Sequence, residues 1–278
     1  MLEFQLFRLK VFPTTQGDLF RGEMTRAEVL SAVIRSLPEV ELRAGSVWHI
    51  GNVTELDPDA MYLRVGRATI STAERYRNGN FIDELDEVAP YTHVVIDTQL
   101  ELSAIARKPR LSSTAKGIAN ALARLLNESP EGSRLQARFE IVAMSDPEEF
   151  ITLLATAHSV SKFWVSFSKP NPFDANADFV KPMQKLLRET DGNEGKTEVK
   201  GATLKPEILQ AVARSAAATG DNAGATLQLE HEAQKVKKNL RQNPLVITQE
   251  DVSEPEDKRT LLQRMRDLYQ RIRGRDEH

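Results

Sequence analysis

The sequence predicts an α+β protein: two mixed sheet-and-helix modules followed by a C-terminal amphipathic helix. Three observations carry this expectation. Short runs that alternate apolar and polar residues are interspersed with segments whose apolar residues recur at helical spacing. The 278 residues are enough for one large domain or two ordinary ones. The composition is 40% hydrophobic and 28% charged, the profile of a chain that folds around a core.

In chain order, Leu2, Phe4 and Leu6 alternate with Glu3 and Gln5 in a strand over residues 2–12. Ala27, Leu30, Val33 and Ile34 form one face of a helix capped at Thr25 and ended before Pro38. GSVWHIGNV (45–53) and MYLRVGRATI (61–70) flank the turn Asp57-Pro58-Asp59 and read as a hairpin. THVVIDT (92–98) and LELSAIA (100–106) form a second pair of strands. Ser112, Ser113 and Thr114 are candidate caps for a helix carrying Ile118, Leu122, Leu125 and Leu126. Ser129-Pro130-Glu131-Gly132 breaks the chain before a strand over 134–142, which places the first module at residues 1–145.

The second module is expected over 146–248. It comprises a helix at 146–157, a strand at 160–168 stopped by Pro170-Asn171-Pro172, a helix at 178–189 and a polar loop or hairpin at 191–201. An Ala-rich helix at 206–220 then stops at Gly220, and a strand over 225–236 runs into a basic cluster. Residues 249–278 read as an acidic linker and a basic amphipathic helix.

Composition excludes several functions. No cysteine is present, so disulfides, thiolate nucleophiles and cysteine-ligated zinc are ruled out, and a reducing, cytoplasmic location fits best. The amino terminus interleaves Glu3, Arg8, Lys10 and Asp18 with apolar residues, unlike a signal peptide. The net charge is −3. It is unevenly spread: residues 1–150 hold 17 Lys and Arg against 22 Asp and Glu, whereas residues 151–278 hold 20 against 18. Phosphate attraction depends on local clusters, so the basic second half keeps nucleic acid open as a partner.

Catalytic motifs are weak. Gly192 to Thr197 ends in Gly-Lys-Thr, but two residues rather than four separate its glycines and a helix precedes it, so the phosphate-loop spacing fails. His49, His93, His158, His231 and His278 show no metal-site spacing, and no cofactor is expected. Asp57, Asp59, Asp97 and Glu101 could gather around a divalent cation as in a nuclease, against which stands ordinary turn chemistry. Basic residues are more informative. Arg107, Lys108, Arg110 and Lys116 surround a hydroxyl-rich helix start, Lys235, Lys237, Lys238 and Arg241 form a second cluster, and Arg264, Arg271 and Arg273 line the closing helix. With no motif of known docking geometry, DNA contact through them would be sequence-independent. Leu261, Met265, Leu268 and Ile272 form a stripe on that helix suited to docking.

The layout resembles that of RexA-like phage exclusion proteins and, more distantly, KwaB-like antiphage defence proteins. The resemblance runs over roughly residues 30–245. It lies in LPEVELRAGSVWHI (37–50) leading into Met61 to Val65, YTHVVIDTQLELSAIAR (91–107), the Ser-rich helix start, and the strand 138–144. The Pro-Asn turn, the Gly-ended helix and the basic strand region complete it. It implies a dimeric, non-catalytic DNA-binding protein that senses phage replication or recombination complexes, with a separately encoded membrane or defence-system partner. The acidic first half departs from that pattern and moves the expected DNA surface to the carboxy-terminal module. Two other expectations stand beside it: a protein-interaction adaptor docking through the closing helix, and a metal-dependent nuclease.

Overall fold

A computed structural model describes residues 1–12, 24–168, 180–190, 192, 194–230 and 234–273. The architecture is α+β with extensive antiparallel pairing and a C-terminal helix. The chain divides into two compact units. The first comprises Met1–Phe4, Leu9–Ile141 and Thr248–Leu262, and the second Gln5–Arg8, Val142–Ile247 and Gln263–His278.

The first unit begins with β1 (Leu2–Phe12), α1 (Arg26–Arg35), β2 (Glu39–Arg43), β3 (Ser46–Asp57), β4 (Ala60–Arg77) and β5 (Asn80–Val88). It continues with β6 (Tyr91–Asp97), β7 (Leu102–Ala106), α2 (Ala115–Glu128), α3 (Pro130–Arg134) and the first residues of β8 (Arg138–Ala143). Its strands lie in the order β1-β7-β6-β4-β3-β2. Thr25 caps α1 in a reciprocal box, its hydroxyl accepting from Glu28 N at 3.2 Å while its own N–H donates to Glu28 Oε2 at 2.7 Å. Thr114 caps α2 and accepts from Gly117 N at 3.1 Å. Ile118, Leu122, Leu125 and Leu126 of α2 are fully buried with Leu63, Val65, Val94 and Ile105 of the sheet, so period-3.6 and period-2 patterns meet in one core.

β4 is longer than the alternation predicted. It pairs β6 over Ala60–Gly66 and then β5 over Thr69–Arg77, turning at Asn78 (φ 51) and Gly79 (φ 83), the left-handed pair a two-residue hairpin requires. Among the described residues, no other strand of this unit hydrogen-bonds to β5. Opposed pairs share a face, so Ile70, Tyr76, Phe81 and Leu85 lie together on one side of this ribbon at 70, 65, 85 and 75% exposure. Arg75 and Arg77 meet Glu84 and Asp86 on the other side.

The second unit contains α4 (Glu148–Thr156), β9 (Ser159–Ser168), α5 (Val180–Glu189), β10 (Glu194–Lys200), α6 (Pro206–Thr219), β11 (Ala223–Gln228) and β12 (Lys235–Asn239). β13 (Val246–Gln249) and α7 (Pro255–Arg273) are divided between the units. The four strands lie in the order β10-β9-β11-β12, antiparallel throughout. The single strand expected over 225–236 is instead the antiparallel pair β11 and β12, and the loop or hairpin at 191–201 contains β10. Alternation is too short in each to locate the turn between them. The acidic linker is shorter than expected, because β13 reaches Gln249 and α7 begins at Pro255. Pro170-Asn171-Pro172, the start of the helix expected at 178, Asp191, Asn193, His231, Arg275 and His278 lie outside the described residues. Among the described residues no helix is long and apolar enough to cross a membrane.

Candidate nucleic-acid interface

β9 places Val160, Phe163, Val165 and Phe167 on the core side of the four-stranded sheet, where Ala223, Ala225 and Leu227 of β11 join them. α5 and α6 cover this side: Thr197, opposite Val165, touches Met183 of α5, and the small residues Ala213, Ala216 and Ala217 of α6 are buried. The alternate residues face the other way. One row across the sheet reads Lys200, Lys162, Thr226, Lys237; the adjacent row reads Glu198, Trp164, Gly224, Asn239. Lys196 opposite Ser166, Lys235 opposite Gln228, and Glu194 opposite Ser168 complete the face. Five lysines therefore surround one tryptophan in the company of two carboxylates.

Trp164 lies against the backbone of β11. A Cβ built on Gly224 would fall 2.6 Å from Cε2 and Cζ2 of the indole, so only glycine leaves room for the ring there. Lys196 Nζ stands over the ring, 4.2 Å from its centroid. Glu198 bridges Lys162 at 2.6 Å and Lys200 at 3.1 Å, and these hydrogen bonds hold its carboxyl below the usual carboxylate range. Among the described residues Lys235 and Lys237 pair with no carboxylate. Ser166 ties the platform together, its hydroxyl donating to Asn222 O at 3.0 Å and accepting from Asn222 N at 2.9 Å.

Of the sequence-predicted cations, Lys235 and Lys237 share this face. Lys238, opposite Ala225, points to the core side, as alternation demands, and Arg241 is exposed on the short 3₁₀ turn after β12. Arg264 and Arg271 are exposed on α7, while the Arg273 guanidinium stands 5.6 Å from the ring centroid of Tyr269. Arg107, Lys108, Arg110 and Lys116 are exposed in the first unit. There Lys108 lies close enough to His93 to act with burial, Arg64 and Lys258 in pushing that imidazole below its ordinary value, with Asp251 opposing them. Lys162, Trp164, Lys196 and Lys200 escaped sequence reasoning. Their signal was the alternation itself: from Lys162 onward in SVSKFWVSFS, and throughout EGKTEVK, every second residue is polar, basic or aromatic, and a register shift breaks the pattern before Lys162.

Two expectations need correction. The docking stripe of α7 is not a free surface: Leu261, Met265 and Ile272 are at most 2% exposed, Tyr269 rather than Leu268 completes the buried line, and Leu262 joins it. Steps of four, four and three keep 261, 265, 269 and 272 on one side of a 3.6-residue helix. Tyr269 is held there by Arg8, whose Nη1 donates to its hydroxyl at 2.9 Å. The acidic quartet forms no cation site, since among the described residues no three acidic or histidine side chains cluster as ligands. Asp57 instead accepts from Asp59 N, Asp97 accepts from Leu100 N, and Glu101 pairs with Arg26. In agreement with the failed phosphate-loop spacing, Gly195-Lys196-Thr197 belongs to strand β10, where Gly195 makes room for the Phe167 ring.

No protein-family model and no curated protein matches the chain.

Proposed function

We propose that this protein binds DNA without sequence preference through the open face of β9–β12, as a non-catalytic component of a cytoplasmic phage exclusion or antiphage defence system. The observation that carries the binding is the gathering of Lys162, Lys196, Lys200, Lys235 and Lys237 around Trp164 on one sheet face. Ammonium groups clustered within one to two Debye lengths attract phosphate whatever the net charge of the chain. The side chains that dominate the face are lysines, which meet phosphate as point charges, and this supports indifference to sequence. The defence setting, and a separately encoded partner, rest on the resemblance in layout.

The test is binding of random-sequence DNA across a salt series, comparing the protein with the triple variant Lys162→Glu, Lys235→Glu, Lys237→Glu. The expected result is affinity that falls steeply with salt and is lost in the variant. No binding at low salt, or equal binding by the variant, overturns the proposal.

A second reading, protein–protein docking, is favoured by the β4–β5 ribbon, whose exposed apolar face is of the kind that marks interaction surfaces. A homodimer formed through it accords with the DNA-binding proposal. Phe81→Ser with Leu85→Ser should then lower the mass measured by light scattering from dimer to monomer; an unchanged mass removes the ribbon from the interface.

A further inference from the structure

We infer that the open face of β9–β12 takes a single DNA strand in preference to the duplex, with one base stacked on Trp164. This rests on the proposed function and adds to it the strand state and the group that recognises it.

The indole occupies an open-face position, while Phe163, Val165 and Phe167 fill the opposite side, so it is not needed to close the core. Gly224 provides its floor: the ring lies where any larger side chain at 224 would stand. Lys196 over the ring shows that a ligand-sized approach to the π-system is open, since an exposed lysine is displaced by rotating its own side chain. A base taking that place would free the Lys196 ammonium for a neighbouring phosphate.

The cation row fits the same ligand. Lys200, Lys162 and Lys237 lie in the row next to that of Trp164, about 7 Å away along the strands, and span about 14 Å across the sheet. Phosphates flanking a stacked base therefore meet ammonium groups. A duplex keeps its bases stacked on one another and offers only their edges in its grooves. It would gain from the lysines alone, whereas a single strand gains from lysines and indole together.

The test uses a short oligothymidylate, its duplex with oligoadenylate, and an abasic strand of equal charge, with affinity and intrinsic fluorescence as readouts. The chain has 2 tryptophans, and Trp48, 7% exposed in the first unit, serves as the unquenched reference. The expected result is quenching by oligothymidylate and affinity about tenfold above that for the abasic strand and the duplex. Trp164→Leu should abolish the quenching and remove that advantage. Equal affinity for all three probes without quenching overturns the inference and leaves the basic-face proposal standing. Failure of all three probes to bind at low salt overturns both. Because the abasic comparison uses the unaltered protein, it decides the matter even if the leucine variant does not fold.

Discussion

Trp164 keeps its place because Gly224 has no side chain, and its neighbours set what the face can attract. A cation over an exposed ring contributes about 0.5–1 kcal/mol, whereas stacking of a nucleobase on an aromatic side chain contributes about 1–3 kcal/mol. In the proposed complex a base would therefore outcompete Lys196 for the ring. Glu198 works the other way, offsetting one of the two positive charges of Lys162 and Lys200. Glu198→Gln should tighten DNA binding several-fold, measured as a dissociation constant at fixed salt; weaker binding would mean that Glu198 acts by positioning the two lysines. His93 carries a pH prediction. Its ring Nδ1 lies 2.7 Å from the Tyr62 hydroxyl. Burial, then the positive charge of Arg64, depresses its folded pKa below the ordinary 6.5. The unfolded chain thus binds the proton more readily, and stability rises with pH in that window. It is fully present above about pH 6.5 and is lost as pH falls through the folded value. Denaturant midpoints at pH 7.5 and pH 5.5 should show the drop, and His93→Gln should flatten it.

Individual elements owe their positions to local chemistry completed by tertiary contacts. The Thr25 box makes α1 start where Thr25→Ala should cost about 1 kcal/mol in chemical denaturation. α7 is fixed differently. With Leu261 and Met265 at 0% exposure, alanine at either should cost about 2–5 kcal/mol by loss of buried contacts and creation of a cavity. A surface-docking role for that stripe would instead leave stability unchanged. In the ribbon, Asn78 and Gly79 supply the positive φ angles that a two-residue turn demands. Its length was not legible, since Glu74, Arg75, Asp83 and Glu84 break the apolar alternation by which the preceding half of β4 was recognised. Cross-strand pairing, not burial, sustains those residues as strand.

For the whole molecule, net charge is a poor guide to partners. A chain at −3 still presents a sheet face with five lysines against two carboxylates, because pairing brings β10, β9 and β12 together from positions up to some 75 residues apart. The logarithmic salt slope for a single strand should be about −2 to −3, since each neutralised phosphate adds about 0.7. A much steeper slope would draw the arginines of α7 into the same footprint. The sequence by itself determined the α+β class, most elements, the cap at Thr25, three candidate caps for α2 at Ser112, Ser113 and Thr114, and the stop at Gly220, because periodicity, capping and left-handed backbone are local properties. Only the tertiary structure decided that Lys235 and Lys237 share a face with Lys162, Trp164 and Lys196 while Lys238 does not, that Tyr269 rather than Leu268 is buried, and that the acidic quartet serves turns and an ion pair. Register and strand order are set by long-range burial, and a one-residue difference in register sends a side chain to the opposite face.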